Sequence, residues 1–181
     1  MLSKRRTSLL YLVVLYAANE SFATAAAALI SSMNSRILRA AHRYCALSNL
    51  GKLDFIREMI DPDVACIYGI SGIDDIMKGI EGFHVKHHDV FWIFKTIKED
   101  NDSYKVEIDF DRYWTERGST NDTLNVYSCS ASEIIEFNGK VQISSIIYKM
   151  RPTDTVFFGH EYPKERSVVL SEAKNFIESF S

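Results

Sequence analysis

The stretch YSCSASEIIEFNGKVQISSIIYKMR, residues 127–151, reads as two strands that meet at Asn138-Gly139. Both turn residues tolerate the positive φ of a tight type I′ hairpin, which makes the pair a strong hairpin signal. A two-residue turn sets Phe137 opposite Lys140, Glu133 opposite Ser144, Ala131 opposite Ile146 and Cys129 opposite Tyr148. Glu133 then shares one sheet face with Cys129, Ala131, Ile135, Ile146 and Tyr148. A carboxylate in that company sits at the rim of the core or lines a cavity, because burying it charged and unpaired is costly.

Outward from the hairpin, the preceding chain also reads as sheet. Residues 91–97 form a β-branched and aromatic run. After a polar stretch at 98–103, Tyr104, Val106, Ile108, Phe110 and Trp114 alternate with Lys105, Glu107, Asp109 and Asp111. A second polar loop, 116–123, leads into the hairpin. Further back, Ile37, Ala40, Ala41, Tyr44 and Leu47 recur at helical spacing between Ser35, a plausible N-cap, and Gly51. A short helix through Leu53, Ile56 and Ile60 stops at Asp61-Pro62-Asp63, since proline disfavours helical geometry at the residue before it. Residues 64–70 read as a strand. A third helix follows, with Ile73, Ile76, Met77, Ile80 and Phe83 on one face, continued by His84 and His87. Gly79 and Gly82 are expected to weaken its second half. Helices before an antiparallel meander give an α+β layout. After Pro152, Val169, Ala173, Phe176, Ile177 and Phe180 suggest a last amphipathic helix, an addition to a core already complete.

With 181 residues, 46% hydrophobic and 25% charged, the chain has ordinary globular composition and length for one core. A net charge of −3 without a basic stripe removes the long-range attraction that nucleic-acid binding uses. Cys45, Cys66 and Cys129 lack the spacing of a zinc site or a disulfide framework and read as small buried hydrophobes, with one pairing left open. Neither a phosphate-cradling glycine loop nor a nucleophile elbow is visible. His84, His87 and His88 could begin a metal site but lack a further donor.

Lys4, Arg5 and Arg6 precede an apolar run from Leu9 to Ala18, and Ala23-Thr24-Ala25 has the form a signal peptidase accepts. The expectation is a signal peptide over 1–25, a linker over 26–34, and a secreted or endomembrane-lumen protein with no permanent membrane span once the signal is cleaved. Sequons at Asn101 and Asn121 fit that compartment. The alternative reads residues 21–43, which hold Ser and Arg and no acidic residue, as a plastid transit peptide behind the signal.

The segments 43–54, 73–82 and 132–148, in this element order, resemble the NTF2-like superfamily, and within it the SnoaL-like, ketosteroid-isomerase-like and scytalone-dehydratase-like groups. The resemblance covers about residues 35–152 and leaves 153–181 as a C-terminal extension. It implies a cone-shaped α+β barrel: a curved antiparallel sheet wrapped around the N-terminal helices, a mostly apolar cavity, cofactor-free chemistry and a homodimer. It implies that Tyr44 occupies the place of the tyrosine that hydrogen-bonds a steroid oxyanion, and that Glu133 falls at the second, protonated acid. In such isomerases an apolar site keeps that acid neutral, so that it donates to the oxyanion beside the phenol. Where those enzymes hold the proton-abstracting aspartate, this chain has Tyr68. The dehydratase's catalytic histidine points to His87 or His88, and its helix-one Tyr-Asp pair is replaced by Ser48-Asn49.

Tyr44, Glu133, His87 and His88 are thus the candidate catalytic residues, with Tyr68, Trp92, Phe110, Trp114, Ile146 and Tyr148 as candidate ligand contacts. Two function classes stay open. One is an isomerase, dehydratase or cyclase acting on a small apolar, polyketide-like or steroid-like molecule. The other is a non-catalytic binding or dimerisation module, since fold alone does not specify function.

Overall fold

The organising hairpin forms, but its turn is wider than two residues. In the computed structural model, which describes residues 36–100, 104–116 and 124–179, β5 (Val126–Phe137) pairs antiparallel with β6 (Ile143–Met150). Glu133 lies opposite Tyr148, Ile135 opposite Ile146 and Phe137 opposite Ile143. The expected partners, Ser144 for Glu133 and Ile146 for Ala131, are therefore wrong by four positions. The cause is the Asn138 side chain. Its Oδ1 accepts the N–H groups of Lys140 and Gln142, each at 2.9 Å, and the backbone closes from Asn138 N to Gln142 O at 2.8 Å. Val141, at φ 64°, takes the left-handed position that was expected at the Asn-Gly pair. At Glu133 and Ile135 the slip is even, so both keep the face they share with Ile146 and Tyr148, while the irregularity between Glu136 and Phe137 makes it three at the loop end, where Ile143 is buried opposite Phe137.

The remaining strands are β1 (Cys66–Ile67), β2 (Ile70–Ser71), β3 (His87–Asp100), β4 (Lys105–Glu116) and β7 (Val156–Gly159). The sheet order is β2-β1-β6-β5-β4-β3, with β7 paired to β5. The sheet is mixed where a purely antiparallel one was expected: β1 runs parallel to β6, with Ile67 beside Ile146. A further correction concerns the extension. β7 takes the stretch of β5 that β6 leaves free, pairing at Val126, Tyr127 and Ser128. Residues 156–159 thus complete the sheet, and the compact unit runs over Ile37–Ser181.

Among the described residues, four helices flank the sheet. Helix α1 covers residues 36–49 and sends Ile37, Ala41, Cys45 and Leu47 into the main core. Helix α2 (Leu53–Met59) buries Ile56 and Met59. Helix α3 (Ile73–Lys86) is unbroken despite its glycines, and Gly79 sets a hydrogen where a Cβ would meet Ile70 Cδ1 at 3.4 Å. Helix α4 (Arg166–Glu178) buries Ala173 and packs Val169 with Phe91 and Tyr113. Asn49, at the end of α1, donates from Nδ2 to the carbonyl of Trp92 at 3.0 Å and accepts the Trp92 N–H at 2.7 Å. It stands in for a neighbouring strand on the outer edge of β3, where unpaired peptide groups would otherwise be costly.

All three cysteines are free thiols. No helix among the described residues is long and apolar enough to cross a membrane. The expected signal peptide and linker, Ser35, Phe180 and both sequons lie outside the described residues, as does the transit alternative up to residue 35; its last part, residues 36–43, belongs to helix α1.

Candidate functional site

Pairing across the sheet sorts the inward side chains into rows. Trp92 pairs with Arg112 and Arg112 with Cys129; Phe94 pairs with Phe110 and Phe110 with Ala131; Ile108 pairs with Glu133 and Glu133 with Tyr148. These rows floor a cavity of about 230 Å³, closed from above by α1 and α3 and at one side by the β1–β2 turn. Its wall is largely apolar, with Ile56, Ile76, Ile80, Phe83, Phe94 and Phe110 contributing, and its polar groups are few. Such a hollow, apolar with a handful of convergent polar groups, is what a small-molecule site requires.

Glu133 is the centre of those polar groups. It is 5% exposed, and Tyr68 Oη donates to its Oε1 at 2.6 Å. Burial disfavours the charged carboxylate and lifts its pKa to about 7, against the opposing pull of the Tyr68 hydrogen bond and of the Arg112 charge. At neutral pH the carboxyl therefore exchanges readily between acid and base forms. Tyr68 sits in the turn between β1 and β2 at φ 51°, followed by Gly69 at φ 83°. A bulky residue rarely adopts this conformation. Here the peptide is held by Tyr68 N donating to Ile146 O at 2.8 Å, and the ring stacks on Tyr148 at 4.5 Å. Tyr68 as a whole is 39% exposed, yet its hydroxyl is buried against Glu133, and that burial, with the Glu133 charge after it, raises the phenol's pKa well above its ordinary value.

Tyr44, from α1, lines the same cavity beside Ser48, whose hydroxyl donates to the Tyr44 carbonyl at 2.8 Å. Burial, and after it the nearby Glu133 charge, push the Tyr44 phenol far up, so it stays a neutral donor. Of the Ser48-Asn49 pair, only Ser48 reaches the cavity; Asn49 is committed to the Trp92 backbone.

The histidine expectation needs correction. His87 and His88 do not line the cavity. Helix α3 stops at Lys86, so the helical spacing that would carry His87 inward ends one residue too early, and both histidines begin β3. His87 packs on Phe83 and Trp114, with ring centroids at 4.6 and 5.1 Å, and the His88 carbonyl accepts from Thr115 Oγ1. The cavity histidine is His84, one turn earlier on the stripe of Ile76 and Ile80, with its ring 6.0 Å from Trp92. Burial lowers its pKa, leaving a neutral imidazole.

Among the expected ligand contacts, Tyr68, Trp92, Phe110 and Tyr148 line the cavity. Trp114 and Ile146 do not. Trp114 is buried with Val90 and Cys129 beyond the end of the hollow, and Ile146, fully buried, packs in the core beneath it.

Arg112 is the polar wall residue that was not singled out. Strict alternation along Val106, Ile108, Phe110, Arg112 and Trp114 already set it on the apolar face. Its guanidinium lies 4.6 Å from the Phe83 ring centroid and 5.5 Å from that of Trp114. Among the described residues no cluster of three or more His, Cys, Asp or Glu side chains gathers to hold a metal.

Solved structures share this architecture. An NTF2-like protein of unknown function from Exiguobacterium sp. 255-15 aligns with a TM-score of 0.53 at 15% identity, over 64% of this chain and 98% of that one. AclR from Streptomyces galilaeus, provisionally assigned as a hydroxylase, aligns with a TM-score of 0.53 at 17% identity, over 66% and 92%. A provisionally assigned SnoaL-like polyketide cyclase from Jannaschia sp. CCS1 gives 0.52 at 9% identity, over 65% and 87%. No protein-family model matches the chain, and no curated protein does. At these identities the likeness concerns the backbone: the chain has the NTF2-like fold.

Proposed function

We propose that the cavity binds a small, largely apolar carbonyl compound and that the chain catalyses a proton transfer on it, as an isomerase, dehydratase or cyclase does. One observation carries this reading: the buried Glu133 carboxyl ends on the cavity wall, hydrogen-bonded by Tyr68, with a pKa lifted to about 7. An acid–base group works best when its pKa lies near the working pH. Burial also explains why the group costs folding energy to keep, which is the mark of a side chain held for chemistry.

In this reading Glu133, as carboxylate, takes a proton from the carbon next to the carbonyl. The neutral Tyr44 phenol faces the oxygen on which negative charge develops, where preorganised donors are worth most. His84, neutral and across the hollow, returns or removes the second proton. Support for a hollow used by a ligand comes from Trp92, Phe110 and Tyr148, which line the space without filling it. The proposal includes a second copy of the chain as partner, seated on the outward sheet face where Ile147, Met150 and Val156 are exposed; sedimentation of wild type and Ile147→Asp tests that part.

The test of the chemistry is exchange of α-protons in D2O, followed by NMR over a panel of enolisable ketones such as 2-tetralone. Wild type should accelerate exchange, and Glu133→Gln should slow it by roughly 100-fold or more, the range of general acid–base catalysis. Equal rates in the two proteins would remove Glu133 as the base. Binding without exchange across the panel would leave the cavity as a binding site alone.

A further inference from the structure

Arg112 is a cation without a matching anion. Glu133 is near enough for the guanidinium to pull its carboxyl down, yet among the described residues no carboxylate lies within ion-pair distance of Arg112, and Glu133 accepts from Tyr68 instead. The contacts the guanidinium does make are weak or neutral. Nη2 donates to the Cys129 sulfur at 3.3 Å, the guanidinium also hydrogen-bonds the Tyr148 phenol, and Nε is buried without a hydrogen-bond partner. Its faces rest against Phe83 and Trp114. Guanidinium is built for planar, two-pronged recognition of a carboxylate or similar group, and leaving such donors unmet in an apolar site is costly.

We propose that the ligand of this cavity carries an acidic oxygen, a carboxylate or a stabilised enolate or phenolate, which Arg112 anchors while an aromatic or alicyclic body lies against Trp92, Phe94 and Phe110. This rests on the reading of the cavity as a small-molecule site and narrows its ligand class. The anchoring is a binding role, separate from the proton transfer assigned to Glu133. The row Trp92, Arg112, Cys129 lies one step from Phe94 and Phe110 and two from Glu133, so an anionic head at Arg112 leaves the ligand body over Phe94 and Phe110 and its far end toward Glu133. With about 230 Å³ the hollow takes a two-ring acid.

The experiment compares 2-naphthoate with its neutral isostere 2-naphthamide by calorimetry near pH 6, on the full chain. Wild type should prefer the carboxylate by about tenfold or more, the ratio a charge-assisted hydrogen bond supplies. Arg112→Gln should abolish that preference, and Arg112→Lys should restore part of it. Equal binding of the two compounds by wild type overturns the proposal, as does a preference that survives Arg112→Gln. If neither compound binds, the small-molecule reading of the cavity fails, and the ligand class fails with it. Should Arg112→Gln not fold by circular dichroism, the wild-type ratio and the Lys variant decide.

Discussion

Tyr68 Oη donates to Glu133 Oε1 across 2.6 Å, joining a two-residue turn to the longer strand of the β5–β6 hairpin. The phenol favours the charged carboxylate, so it holds the Glu133 pKa below the level that burial alone would set. Tyr68→Phe should therefore raise the Glu133 pKa further above 7. Carbon-13 NMR of labelled glutamate carboxyls through a pH titration reads this directly. An unchanged or lowered midpoint would mean that the two groups do not interact in solution.

Asn138 carries the hairpin loop, and Gly139 does not. The Asn138 amide donates to Asp61 Oδ2 at 2.5 Å and to Gln142 Oε1 at 3.2 Å, while its carbonyl oxygen serves two backbone N–H groups. Asn138→Ala should cost about 2 kcal/mol, the scale of partners left unsatisfied in a partly buried site. Gly139 has no positive φ, and nothing lies within 4 Å of where its Cβ would stand. Gly139→Ala should change stability by less than about 0.5 kcal/mol, as at an ordinary surface position. Urea unfolding of both variants checks the pair. A large cost at Gly139 with none at Asn138 would restore the tight two-residue turn.

Where the reading of the sequence succeeded, it did so through parity. Glu133 was assigned its face from a register that is wrong by four residues, and the assignment survives because four is even. Arg112 was legible by the same rule, since residues 106, 108, 110, 112 and 114 share a face; an arginine in an aromatic strand was passed over because long charged side chains usually reach water. Other features had no local signal. Nothing at Lys86 marks a helix end, neither proline nor glycine, so the change from helical to strand spacing that separates His84 from His87 is decided by tertiary pairing of β3 with β4. The parallel contact of Ile67 with Ile146 joins residues far apart in the chain, and β7 is four residues long. Pairings of that kind depend on what an edge is left to bind.

Gly79 faces Ile70 where α3 passes beside β2. A methyl group there would stand 3.4 Å from Ile70 Cδ1, an ordinary contact, at a position inside a continuous helix. Gly79→Ala should stabilise the fold by about 0.5–1 kcal/mol through helix propensity. Gly79 also borders the cavity, so the same variant should weaken binding of a two-ring ligand. A destabilised variant would show that α3 packs more tightly on β2 than this distance allows.

Glu133→Gln separates a carboxyl kept for chemistry from one kept for structure. The folded carboxyl titrates near 7, against 4.5 for an unperturbed one. Below about pH 4.5 both states of the wild-type chain hold the proton, and stability does not depend on this group. As pH rises from there to 7 the unfolded chain gives up its proton first, so the wild type loses stability, by about 3 kcal/mol in all at 1.36 kcal/mol per unit. Above 7 the folded carboxyl has ionised as well and the loss levels off. Glutamine does not titrate, and its carbonyl oxygen can still accept from Tyr68. The variant should thus gain on wild type by about that amount between pH 4.5 and 7.5, measured as unfolding free energy in urea at each pH. The opposite slope, with the variant losing ground toward pH 8, would mean that Arg112 holds Glu133 as a buried ion pair in solution. That outcome would take Glu133 out of the proton-transfer scheme and, by supplying the guanidinium with its anion, Arg112 out of ligand binding.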